Sequence, residues 1–441
     1  MVRVLHTSDW HLGAQLYEKD RLPEQRLFLR WLAETIGREG IDLLVICGDV
    51  FDNHAPSVQA QTLYYEFLAG LPELGAARPE IVVTAGNHDS PQFLSAPREL
   101  LSRLKIHVAA GVSGKGGGAE PEGDVLTIRD KENNPALAVC AVPFLRERDL
   151  RLLAGLSSGE EDEAAARYRE AAAALYRRTV ERARLEAPGA PVLATGHLYV
   201  SGSVLSDDAS ERLREVGRLS SFPASLLPEA DYYALGHLHR PQCAGGSERA
   251  GGSGRAGGSE RVRYSGSPIP MSFEEADHVK SVVIAEFDSS RRRGPDNGGG
   301  PRITLAEVPR FLNLRRIRGS LDHIRKSLRD IRAADEEAYL EVELTDLSCG
   351  GAGEFWDEVN GFRAEARERR APYDILFAHH ARDSAGAAMP ETFTDIVALR
   401  PVDVFLRKLD AETVEGEERE HFCALFREIE EQAAGGESLE D

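Results

Sequence analysis

The chain has 441 residues, too many for one ordinary domain, and its 42% hydrophobic and 29% charged content is that of a globular protein able to bury a sizeable core. No run of about eighteen apolar residues is present and the first residues read as a strand, so a membrane span is not expected and a cytoplasmic location is. The formal net charge of −20 argues against a tight, autonomous grip on nucleic acid, and five scattered cysteines without a CxxC pair argue for reduced thiols and against a thiolate metal site.

In chain order, a strand over residues 2–6 runs into Asp9-Trp10-His11, and a second over 41–47 runs into Gly48-Asp49-Val50-Phe51-Asp52. A helix follows over 56–70, then a strand over 81–84 that leads to Gly86-Asn87-His88-Asp89. Strands are expected over 125–128 and 136–142, and a helix over 160–186, where Ala164, Tyr168, Ala172, Tyr176 and Val180 recur at four-residue spacing. Residues 192–195 lead into Gly196-His197, and 232–235 into Gly236-His237-Leu238-His239. Strands over 261–264 and 281–287 complete two facing sheets flanked by helices, an α/β sandwich occupying residues 1–290. Residues 111–118, 244–260 and 291–300 are Gly-rich and build no core, and the last of them marks a boundary. Residues 305–395 change to a small α+β module, with a helix striped by Leu321, Ile324, Leu328 and Ile331. Two amphipathic stretches lie within 400–432, one striped by Val402, Phe405, Leu406 and Leu409, the other by Phe422, Leu425, Phe426 and Ile429. Residues 433–441 read as a disordered tail.

Functional residues of open α/β sheets gather beyond the carboxyl ends of the strands, so five polar clusters at five strand ends can converge on one pocket. Together they supply enough His, Asp and Asn side chains for two metal ions. Two divalent ions roughly 3.5 to 4 Å apart assist phosphate-ester cleavage, and imidazole among the donors favours Mn²⁺, Fe²⁺ or Zn²⁺ over an all-oxygen Mg²⁺ site. Asp49, in a Gly-Asp turn where the backbone can approach closely, is the leading candidate to bridge both ions. One such cluster alone would be ordinary turn chemistry. His6 inside the first strand, His107 in a short strand-like run and the pair His379-His380 have no partner at metal spacing and read as packed residues.

The order D-x-H, G-D-x-x-D, G-N-H-D, G-H and G-H-x-H resembles the signature of the calcineurin-like metallophosphoesterases. His6 to Gly13, Gly48 to Asp52 and Tyr264-Ser265-Gly266-Ser267-Pro268-Ile269-Pro270, with Ser272-Phe273 behind it, are more narrowly similar to the SbcD family of DNA double-strand-break repair nucleases. The resemblance implies one ion on Asp9, His11, Asp49 and His239, and a second on Asp49, Asn87, His197 and His237. It leaves His88 free to act on the phosphate or the leaving oxygen, with Asp52 and Asp89 fixing the ligating residues. Some relatives carry a His where this chain has Asp52, and whether His54 substitutes is open. The resemblance further implies a Mn²⁺-dependent nuclease that trims double-stranded ends 3′ to 5′ and nicks single strands and hairpins. In it the 305–395 module is a capping domain and the C-terminal helices bind an SbcC-like, SMC-type ATPase, two copies of the nuclease forming a homodimer within a heterotetramer. The run Arg315, Arg316, Arg318, Arg325, Lys326, Arg329, Arg332 is as well explained by a solvated face as by DNA contact, with Arg315 and Arg316 the candidate contacts. The rival readings are a small-molecule phosphodiesterase or phosphomonoesterase of the same fold, and a noncatalytic scaffold.

Overall fold

Three strands of the N-terminal half bury both of their faces. Val4, Val45 and Val82 point to one side and Leu5, Ile46 and Val83 to the other, all six fully buried. Alternation of this kind, apolar on both faces, marks a sheet covered on both sides. The computed structural model describes residues 1–71, 78–113, 120–121, 125–155, 164–204, 221–244, 261–288, 300–334, 337–345 and 351–380. In chain order the main elements are β1 (Val2–Thr7), α1 (Leu22–Glu39), β2 (Leu43–Cys47), α2 (Val58–Gly70), β3 (Glu80–Thr84), β4 (Ile106–Ala109), β5 (Val125–Arg129) and β6 (Pro135–Cys140). There follow α3 (Ala164–Glu186), β7 (Val192–His197), β8 (Tyr232–Gly236), β9 (Gln242–Cys243), β10 (Val262–Tyr264), β11 (Ser281–Phe287) and β12 (Arg302–Glu307). The last are β13 (Asn313–Gly319), α4 (Leu321–Ala334), β14 (Ala338–Leu344), α5 (Gly351–Arg369) and β15 (Tyr373–His380).

These strands form two six-stranded sheets, in the orders β12-β11-β1-β2-β3-β4 and β9-β10-β8-β7-β6-β5. In the first, β1 to β4 run parallel and β11 and β12 are antiparallel additions; in the second, β6, β7, β8 and β10 run parallel between antiparallel edges. Val4, Val45, Val82 and Phe287 of the first sheet share a core with Leu137, Leu193, Tyr232 and Ala234 of the second. Helices α1 and α2 cover the outer face of the first sheet through Phe28, Leu32, Leu63 and Phe67, and α3 covers the second through Leu175, Tyr176 and Val180. Helix α1 is not among the elements expected above, although Pro23 at its start and the left-handed Gly40 at its end bracket it. The first sheet also takes an edge strand, β12, from beyond residue 290.

A three-stranded sheet, β13-β14-β15, with α4 and α5 packed on it makes the small α+β module. Ile324, Leu328 and Ile331 of α4 meet Leu340, Val342, Phe355, Val359 and Phe362 in its core. Residues 1–379 form one compact unit, and the amphipathic stretches and tail expected over 400–441 lie outside the described residues.

Candidate metal centre

Because β1 and β2 are parallel neighbours, their carboxyl ends open side by side, and their loops continue to pair: Asp9 N donates to Gly48 O at 3.0 Å, His11 N to Asp49 O at 3.0 Å, and Leu12 N to Val50 O at 2.9 Å. The backbone must turn sharply to do this. Asp9, His11 and Asp49 stand at φ 53°, 46° and 48°, and His237 in the loop after β8 at 100°. Left-handed backbone in residues other than glycine is costly and gathers where surrounding structure holds side chains in place. Three glycines permit the closest approaches: a Cβ on Gly48 would collide with His197 Nδ1, one on Gly86 with the Asp49 carboxylate, and one on Gly236 with the Cys47 carbonyl oxygen.

The result brings Asp9, His11, Asp49, Asn87, His88, Asp89, His197, His237 and His239 to one end of the sandwich. Carboxylate and imidazole atoms of Asp9, His11 and His239 lie within 4.8 Å of one another, as do those of Asp9, Asp49 and His197. Asp49 Oδ2 stands 3.6 Å from His11 Nε2 and 3.3 Å from His197 Nε2, between the two groups. Asn87 Oδ1 is 3.0 Å from His197 Nε2 and 3.1 Å from His237 Nδ1.

Each of three imidazoles is oriented by an acceptor on Nδ1. His11 donates to Asp52 Oδ1 at 3.2 Å, His197 to the Cys47 carbonyl at 2.9 Å, and His239 to Glu275 Oε1 at 3.2 Å. That orientation turns the Nε2 atoms inward. His11 Nε2 is buried with no hydrogen-bond partner, which in a site of oxygen and imidazole donors fits a divalent cation. His88 differs: its Nδ1 donates to the Asp52 carbonyl at 2.6 Å and its backbone N–H to Asp49 Oδ1 at 2.8 Å. A third group, His11, Asp52 and His88, also lies within 4.8 Å, and hydrogen bonds link its three residues.

Asp89 is wholly buried and accepts from the N–H groups of Gly86, Phe51 and Val50 at 2.8, 3.0 and 3.2 Å, so it shapes two loops. Burial, with Asp49 nearby, still raises its carboxyl to about 6. Burial also raises Asp9, against the attraction of His197 and His239. For Asp49 burial acts upward too, but His197, with His11 and His88, outweighs it and holds the carboxyl well below the usual range. His197 mirrors this: burial lowers it, Asp49 and Asp9 more than compensate, and it rises to about 9. A cation would take over the role of that proton, so its binding releases protons.

Sequence reasoning missed Glu275 and Lys280 behind His239, and Arg146, whose guanidinium donates to the carbonyls of Asp89 at 2.5 Å and Gly86 at 3.3 Å. None of these stands in a motif, and no local spacing signals them. His54 is exposed on the turn beyond Asp52, and Arg315 is exposed on β13. Four of the seven cations of the basic run, Arg316, Arg318, Arg325 and Arg332, are paired with carboxylates. In the parallel register of β13 and β14, Arg316 lies opposite Glu341 and Arg318 opposite Glu343, and both pairs are bonded. Arg316 also meets Glu274 at 3.2 Å, Arg325 meets Glu354 at 2.9 Å, and Arg332 meets Glu365 at 2.9 Å. His6, buried in β1, contacts the Tyr232 hydroxyl at 3.0 Å and the Leu235 carbonyl at 3.1 Å, a packed residue.

A parallel-stranded sandwich with a histidine, carboxylate and amide cluster at one end defines a phosphoesterase class, and residues 2–241 match the calcineurin-like phosphoesterase model: the chain belongs to that family. Within it, the chain is 32% identical over 432 residues to the SbcD component of nuclease SbcCD from Escherichia coli strain K12, covering 96% of this chain and 97% of that one. The SbcD proteins of Rhodobacter capsulatus and Bacillus subtilis are each 37% identical, over 287 and 289 residues; in both cases 65% of this chain and 66% of the other are covered. Among the described residues no helix is long and apolar enough to cross a membrane.

Proposed function

We propose that the chain is a two-metal phosphodiesterase acting on DNA, the nuclease component of a complex with an SbcC-like ATPase. The observation that carries the chemistry is the Asp49 carboxylate standing between His11 and His197, with Asp9 close to both, His239 on one side and Asn87 and His237 on the other. Asp9, His11, Asp49 and His239 would hold one ion, and Asp49, Asn87, His197 and His237 the second; the donor set suits a transition-metal dication, and the family resemblance makes Mn²⁺ the choice. Bound there, the ions supply a water of lowered pKa and positive charge for the phosphate and the leaving oxygen. His88, with Nδ1 committed to a carbonyl, keeps Nε2 to hold or give a proton at the phosphate or the departing sugar oxygen. Asp52 and Asp89 hold His11 and the two loops in place.

Likeness to the SbcD component of nuclease SbcCD along nearly the whole chain supports DNA as substrate. Double-stranded ends, hairpins and single strands are the substrate forms in this reading, with the C-terminal stretches docking the ATPase and two copies pairing within the complex. A net charge of −20 fits a protein whose DNA affinity comes mainly from its partner. The test is cleavage of end-labelled hairpin and linear duplex DNA with Mn²⁺, with and without the ATPase and ATP, beside Asp49→Ala. Cleavage should vanish in the variant and grow with the partner. Turnover of a small phosphodiester without any DNA cleavage would favour the small-molecule reading.

A further inference from the structure

Behind His239 lies a buried ion pair that none of the proposed chemistry uses. Glu275 is 0% and Lys280 4% exposed, and Lys280 Nζ meets Glu275 Oε2 at 2.6 Å. Taking two charges out of water is costly, and such a pair persists when its remaining polar atoms are also bonded. Here they are. Glu275 Oε2 also accepts from Met271 N at 3.0 Å and Ser267 Oγ at 3.4 Å, and Lys280 Nζ donates to Ser267 Oγ at 2.9 Å and the His239 carbonyl at 3.0 Å. The other carboxylate oxygen, Oε1, faces His239 Nδ1 at 3.2 Å. The pair therefore grips His239 twice, by its carbonyl through Lys280 and by its ring through Glu275.

The turn that carries Glu275 is itself fixed from the far side. Phe273 is buried with Leu16 and Leu314, and Glu274 meets Arg316 of β13 at 3.2 Å. Three successive residues thus face the small module's apolar seam, its basic strand and the metal centre. A carboxylate held this rigidly against Nδ1 selects the tautomer that presents Nε2, fixes the ring's plane and raises its donor strength.

We infer that Glu275, held by Lys280, is a positioning residue that sets the His239 imidazole for one ion of the pair and is needed for tight binding of that ion. The inference rests on the two-metal reading above. Glu275→Ala alone would strand the Lys280 charge and unfold the surroundings, so the pair is removed together. Glu275→Leu/Lys280→Met leaves no buried charge and no acceptor for the ring, whereas Glu275→Gln/Lys280→Met removes the charges but keeps a carbonyl acceptor. Mn²⁺ binding to the full chain is followed by the electron paramagnetic resonance of free Mn²⁺, with melting of the metal-free proteins as the check on folding. The Leu/Met protein should keep one ion and bind the other about 10- to 100-fold more weakly, while the Gln/Met protein keeps both. Two ions bound by a folded Leu/Met protein as tightly as by the parent would overturn the inference, and so would equal weakening in both variants. A parent chain that binds no ion would instead sink the two-metal reading itself.

Discussion

His88 has its ring Nδ1 bound to the Asp52 carbonyl of the neighbouring loop, while its backbone N–H donates to the Asp49 carboxylate. Its side chain has no part in the proposed ligand sets, so His88→Ala should leave Mn²⁺ stoichiometry unchanged while cleavage drops by about 10²- to 10⁴-fold. Loss of an ion in that variant would make His88 a ligand or an organiser of the loop. His6 carries a different prediction. Burial holds its imidazole at about 3 despite the Leu235 carbonyl, against about 6.5 in an unfolded chain. Between those values the unfolded chain binds the proton and the folded one does not, so stability is complete above about pH 6.5 and falls as pH drops toward 3, by up to about 1.4 kcal/mol per unit. Urea unfolding of His6→Gln across that window should show a shallower pH slope than the parent; equal slopes would mean the ring does not titrate there. His6 was readable as a packed residue because it sits mid-strand. Glu275 was not readable at all, since 36 positions separate it from the histidine it serves and no period connects them.

At the scale of elements, the five motif strands were legible because each is an apolar run of strand length cut off by a polar cluster. Sheet order then follows from parallel pairing, which no local signal in the sequence encodes. The helix of the small module was legible by its stripe of Leu321, Ile324, Leu328 and Ile331, whereas β13 was not, and the glutamates that pair with the module's arginines could not be read because they lie across the β13–β14 ladder or on α5. Strand β12, Arg302 to Glu307, was hidden because it is an edge strand beyond the Gly-rich boundary, where Ile303 and Ala306 are only partly buried against the core and Leu305 is exposed. The loops at the site are where close approach governs. Gly236 ends β8 in one sheet against Cys47, which ends β2 in the other, and a methyl group has no room between them. Gly236→Ala should cost about 1–3 kcal/mol by displacing these two ends. It should also weaken Mn²⁺ binding, because the Cys47 carbonyl that it pushes is the one orienting His197. Unfolding and metal titration on the same sample check both, and a variant with parental values in each would remove the steric account.

For the molecule as a whole, Asp9, Asp49 and Asn87 extend from strand ends of the first sheet, and His197, His237 and His239 from those of the second. The apolar core between the sheets ends where this cluster begins, and in place of methyl groups the two layers face each other there through carboxylates and imidazoles. A dication ligated from both layers, as proposed, would therefore be a stitch across the sandwich, joining stretches of chain more than a hundred residues apart as a disulfide would, though reversibly. Stability should then follow metal by mass action: Mn²⁺ at about 100 times its dissociation constant adds about 2.7 kcal/mol, and chelation removes it. A melting temperature indifferent to Mn²⁺ and to chelator would show that the layers need no such stitch. Where the dependence holds, metal supply sets how firmly this protein is closed as well as whether it can cut.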